Sequence, residues 1–114
     1  MSAQGLFTFA PPPDFWDDGA RITVPGAAEP APISVQWRVL GRKAVRAWIE
    51  AFEKRPQAES LAEVIADWRV DDADGQPVPF SRVNLEEFLD LFQPAGGELA
   101  RRYVEVLAES RLGN

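Results

Sequence analysis

The densest cluster of chemically capable side chains is Asp71, Asp72 and Asp74, closed by Gly75. Carboxylates spaced two apart ahead of a glycine invite a calcium reading. An EF-hand loop takes oxygen ligands at loop positions 1, 3 and 5, glycine at 6 and a bidentate glutamate at 12. With Gly75 in the sixth place, Asp72 and Asp74 fall correctly, but Val70 stands first and Ser81 twelfth. Two ligands fail, the bidentate one among them. A solvated turn is the favoured reading, because Asp and Asp-Gly tolerate turn geometry. The chain has no histidine and no cysteine. Ser-His-Asp, Cys-His and zinc-hydrolase chemistries are thereby excluded, as are disulfides and thiolate metal sites. Catalysis by carboxylates alone needs two acids in a pocket, one with a raised pKa. Glu50, Glu53, Glu86 and Glu87 mostly lie away from the apolar positions instead. Arg101 and Arg102 stand isolated on an acidic chain, and Gly96-Gly97 lacks the spacing and lysine of a phosphate loop. No catalytic residue, metal site or cofactor is expected.

The elements that must position these groups form one domain. A chain of 114 residues buries roughly two-thirds of its unfolded surface, enough for a core without staples. Eighteen acids against twelve bases give a net charge of −6, the wrong sign for a nucleic-acid backbone. Met1 to Ala10 carries no basic side chain and no long apolar run, unlike a secretory signal, and no stretch approaches a bilayer span. The expected location is cytoplasmic, with neither membrane nor nucleic acid as partner.

Six of the ten prolines fall before residue 33, so residues 1–18 are expected to form an irregular arm rich in proline and aromatics. A single domain over 19–114 follows. Arg21–Val24 and Ile33–Val39 alternate polar and apolar residues and predict a β-hairpin across 20–40. Four helices are then predicted, at about 42–54, 60–69, 84–92 and 95–112. Val45, Trp48, Ile49 and Phe52 share one face of the first, and Leu61, Val64, Ile65 and Trp68 repeat that spacing in the second. Ser60 with Glu63, and Asn84 with Glu87, have capping-box spacing. Leu85, Phe88, Leu89 and Phe92 line the third helix, and Leu99, Tyr103, Val106 and Leu107 the fourth, which Gly113 would terminate. The expected fold class is α+β, mainly α: an N-terminal hairpin followed by four short amphipathic helices.

Four Trp, seven Phe and one Tyr make the chain rich in aromatics. Trp37, Trp48, Trp68, Phe52, Phe88 and Phe92 fall on predicted core faces. Phe7, Phe9, Phe15, Trp16 and Phe80 fall outside the predicted elements, where they either dock onto the core or anchor a partner.

The string from Trp68 through Val70-Asp71-Asp72, Gly75 and Pro77-Val78-Pro79-Phe80-Ser81, followed by Asn84-Leu85 and the Phe88-Leu89 helix, resembles the small tail assembly chaperones of long-tailed bacteriophages and prophages. The upstream Trp48-Ile49 helix and the Arg111-Leu112-Gly113-Asn114 ending are similar too. The resemblance covers roughly residues 33–114 and leaves the proline-rich 1–32 uncovered. It implies a non-enzymatic assembly factor that coats the tape measure protein, recruits tail tube subunits and leaves before the virion is complete. Many members of that family are made in two forms by a programmed frameshift. The implied partners are the tape measure and tail tube proteins, with a homo-oligomer as a further expectation. The expected partner-binding residues are Phe15, Trp16, Trp68, Asp71, Asp72, Pro77, Pro79 and Phe80. A small acidic regulatory or inhibitory protein of a phage or mobile element is the competing expectation, on the acidic surplus.

Overall fold

The computed structural model describes residues 9–109 and has an α+β fold. Strand β1 spans Phe15–Ile22 and β2 spans Ala31–Arg38. They pair antiparallel, with Trp16 opposite Trp37, Asp18 opposite Val35 and Ala20 opposite Ile33. The hairpin begins earlier than its alternation suggests. Phe15–Asp18, expected in an irregular arm, belong to β1, and the exposed, irregular described arm is only residues 9–14. The alternation is disguised by Asp18, which occupies a core-side position beside Trp16, Ala20 and Ile22. Its charge is met by Arg102 from the last helix at 3.2 Å. The remainder of the arm, residues 1–8, lies outside the described residues.

Helix α1 spans Arg42–Phe52 and α2 spans Gln57–Val64. The second helix differs from expectation at both ends. Pro56 caps it, taking the N–H groups of Glu59 and Ser60 on its carbonyl, so Ser60 is an interior, fully buried residue rather than the N-cap. At Ile65 the chain turns extended and continues as β3, Ile65–Arg69, which adds to the free edge of β2. The predicted helix over 60–69 is therefore half helix and half strand. Ile65 and Trp68 sit three apart, a spacing that alternates faces in a regular strand. A bulge opposite Gln36 and Trp37 restores them to one side: Trp68 faces Val35 and Ile65 faces Trp37.

Helix α3 spans Arg82–Leu91 and α4 spans Ala95–Glu109. The Oγ of Ser81 accepts from Asn84 N–H at 3.1 Å, so the cap lies three residues before the expected Asn84. Asn84 instead donates its amide to Pro79 O at 2.8 Å. Gly96, which costs helix propensity, lies against the side-chain amide of Gln57 on α2, which would have to swing aside for a Cβ. The predicted end of α4 at 112 and the Gly113 terminator lie outside the described residues.

The helices cover one face of the three-stranded sheet, and the core centres on Tyr103. Its ring lies 6.2 Å from Trp16, 5.5 Å from Trp37 and 5.3 Å from Trp48, in stacked, tilted and edge-on geometries respectively. Its hydroxyl donates to Arg38 O at 2.9 Å, at the end of β2. Trp48 Nε1 donates to Ser60 O at 2.8 Å, fastening α1 to α2. Arg55, between those helices, holds Glu63 through two bonds of 2.8 and 2.9 Å. That hydrogen-bonded guanidinium keeps the Glu63 carboxyl below its ordinary range, although desolvation opposes it. The outer strands carry blocked backbone groups. Asp18 accepts from Gly19 N–H and Arg102 Nε donates to Gly19 O on β1, while Asp67 accepts from Trp68 N–H on β3. Occupied edge groups discourage pairing with a foreign strand.

Burial pushes the Tyr103 hydroxyl up to about 12, against a backbone hydrogen bond from Leu40 that lowers it. The sign follows from proton linkage. The folded state holds this proton more tightly than the unfolded chain, whose tyrosine titrates near 10. The stability of this protonated tyrosine is complete below pH about 10 and is lost as pH rises toward about 12, about 2–3 kcal/mol in all. Tyr103 is the sole tyrosine, so an ultraviolet titration reads it alone. The native midpoint should lie well above that measured in guanidinium, or coincide with alkaline unfolding. A native midpoint near 10 would contradict the buried geometry.

Candidate functional site

The expected partner-binding residues separate into three places. Trp16 retains 8% of its exposure and packs against Tyr103 in the core. Phe15, its neighbour, points to the opposite, uncovered face of the sheet, where it is 43% exposed and the Arg38 guanidinium lies 5.4 Å over its ring. The alternation of β1 sends these adjacent aromatics to opposite faces, so they cannot form one anchor.

Trp68 and Phe80 come together with α3. The Trp68 ring lies 5.2 Å from both Phe80 and Phe88, and Phe88 in turn 5.1 Å from Phe92. Trp68 Nε1 donates to Val78 O at 2.8 Å, and only 8% of the residue is exposed. This second aromatic cluster ties the segment 70–80 down onto β3 and α3. The sequence puts Trp68 both among the expected partner-binding residues and on a core face; its burial and its satisfied indole N–H place it in the core.

Asp71, Asp72, Pro77 and Pro79 lie in the exposed segment beyond. Asp71 bridges to Pro77, and Val78 N–H donates to Val70 O at 2.7 Å, so the segment is a small hairpin. The Asp72 carboxylate accepts the N–H groups of Asp74 and Gln76, both at 2.9 Å, in an Asx turn. Gly75 takes φ +79°, a conformation that suits glycine. Among the described residues no group of three acidic side chains is arranged to hold a metal ion, and none of their helices is long and apolar enough to cross a membrane.

An open apolar groove includes Val45 and Ile49 from the face expected of the first helix and Leu107 from that of the fourth. Leu40, Val45 and Ile49 on the α1 side face Val104, Leu107 and Ala108 of α4 across a groove of about 790 Å³. A second recess of about 690 Å³ shares Ile49, Glu50 and Val104 and runs on past Phe52 and Ala100. Of the four apolar residues on the face of α1, only Trp48 is buried, and Ile49 is 47% exposed. Arg42, Arg46 and Glu50 stand on the rim. The spacing of Val45, Ile49 and Phe52 identifies an apolar stripe, but spacing alone does not say what covers it. Chemically the groove suits the apolar face of a helix, bordered by charges of both signs.

These placements separate core aromatics from surface ones. Trp16→Ala and Trp68→Ala should each lower unfolding free energy by about 3–5 kcal/mol in urea titrations. Phe15→Ala, on the open face, should cost less than about 1 kcal/mol. A Trp68→Ala chain that keeps its stability would remove the core assignment.

No protein-family model, curated protein or solved structure matches this chain.

Proposed function

We propose that this chain is a non-enzymatic tail assembly chaperone of a long-tailed phage or prophage, which binds the tape measure protein and recruits tail tube subunits. The observation that carries the reading is the apolar groove between α1 and α4, left open among the described residues. A tape measure protein is long and mainly helical, and exposes apolar faces before assembly. A protein that guards it needs an apolar groove of helical length and a charged surface that keeps the complex dispersed. α1 offers such a groove, and the net charge of −6 supplies the second requirement. The resemblance carried by residues 68–81 supports the same reading. That segment is the small hairpin pinned by Trp68, so its part is to hold β3 against α3. The client surface is the groove.

Co-expression with a tape measure protein encoded beside this chain's gene should give a complex that co-purifies. Ile49→Asp places a charge in the groove at a half-exposed position, so it should leave the fold intact and weaken capture at least about tenfold. Two folded proteins that stay apart, or capture indifferent to Ile49→Asp, would contradict the reading.

A further inference from the structure

We propose that the apolar groove beside α1 is covered, when no partner fills it, by the chain's own N-terminal arm, with Phe9 and Phe7 seated along it. Three observations carry this: where the arm is tethered, how far it reaches and what it is made of. β1 and β2 pair antiparallel with Phe15 opposite Arg38, and just beyond them Val39 N–H donates to Asp14 O at 2.9 Å. In an antiparallel pair, the chain entering one strand and the chain leaving the other share one end of the sheet. The arm therefore enters β1 beside Val39, Leu40 and Gly41, the segment that leads into α1. Leu40 itself lines the groove. The tether holds the arm at a groove wall.

The reach matches the length to be covered. Pro11, Pro12 and Pro13 hold the chain extended, at about 3.1 Å per residue. Phe9 lies five residues from Asp14 and Phe7 seven, so they reach up to about 16 Å and 22 Å from it. α1, with 11 residues, is about 16 Å long. An arm that follows α1 from Leu40 brings Phe9 level with Ile49, in the groove of about 790 Å³. It brings Phe7 level with Phe52 and Ala100, in the adjoining recess of about 690 Å³. Residues two apart in an extended chain point to one side, so both rings enter while Thr8 faces out.

The composition suits an apolar seat. Residues 1–13 carry no charged side chain, the longest such run in the sequence. A charged segment would be desolvated against Val45, Ile49, Val104 and Leu107 at a cost that this one avoids. Phe9 is wholly exposed in the structure, which is thus the uncovered arrangement. Seating that ring removes apolar surface from water and breaks no contact of its own. The tether sets the local concentration of the arm at about millimolar, so a weak contact suffices to cover the groove. If the client reading above holds, a tape measure helix must displace the arm; this consequence alone rests on that reading.

The chain has no cysteine, so Gln4→Cys gives a single point for a nitroxide spin label on the full chain. The label should broaden the methyl NMR signals of Val45, Ile49, Val104 and Leu107 beyond those of Val83 and Leu91 on α3, which line neither recess. Phe7→Ser combined with Phe9→Ser should abolish that difference. Should the double variant lose its fold by circular dichroism, Phe9→Ser alone, at a wholly exposed position, is the test. Even broadening, or selective broadening indifferent to these substitutions, overturns the docked arm. Broadening seen only between a spin-labelled chain and a separate isotope-labelled one assigns the arm to a neighbouring copy and overturns it too. Freeing the groove should tighten tape measure capture about tenfold if the arm covers it in about nine molecules of ten. Selective broadening with capture absent or unchanged upholds the docked arm and removes the client reading at the groove. Capture without selective broadening does the reverse.

Discussion

The fold depends on burying one tyrosine between a sheet and two helices. Tyr103 meets a tryptophan from β1, one from β2 and one from α1, and its hydroxyl is satisfied by the last carbonyl of β2. A buried hydroxyl without a partner is costly, so the β2 terminus and α4 must keep a fixed relation. The remaining α4 contacts extend that constraint. Arg102, beside Tyr103, reaches Asp18 and Gly19 of β1, and Glu98 accepts from the backbone and side chain of Thr23 just beyond it. One helix thus locates the hairpin through a buried aromatic contact and two charged clamps.

The passage from α2 to β3 shows how tertiary demand overrides local pattern. Leu61, Val64, Ile65 and Trp68 satisfy helical spacing, yet the chain leaves the helix after Val64. β2 has a free edge once β1 has paired, and Ile65 is β-branched and suited to a strand. A bulge then delivers Ile65 and Trp68 to the same face that a helix would have given them. Both solutions bury the same residues, and only the open edge of β2 distinguishes them. Trp68, so placed, receives Phe80 and Phe88 and anchors the 70–80 hairpin.

α1 stands apart from this economy. Tyr103 and Ser60 hold Trp48, and Trp48 alone of the residues on α1 is buried. The remainder of its apolar stripe faces a groove that α4 does not close. The same helix carries a charge order that opposes its own dipole. A face that is apolar, open among the described residues and bordered by charges of both signs has the chemistry of recognition rather than of core packing.

The sequence by itself determined the absence of histidine and cysteine, and with it the exclusion of thiol and imidazole chemistry. It also determined which residues are apolar at helical or strand spacing, and that Asp72 and Gly75 make a turn. These are local properties of side chains and of φ. Tertiary structure decided the rest. It turned Phe15–Asp18 into strand, because they pair with Val35–Arg38 of β2. It made residues 65–69 a strand, because an edge was free. It sent Phe15 and Trp16 to opposite faces. It also decided that Trp68 is covered while Ile49 is not. Periodicity shows that a face is apolar, but which partner covers it depends on where the other elements pack.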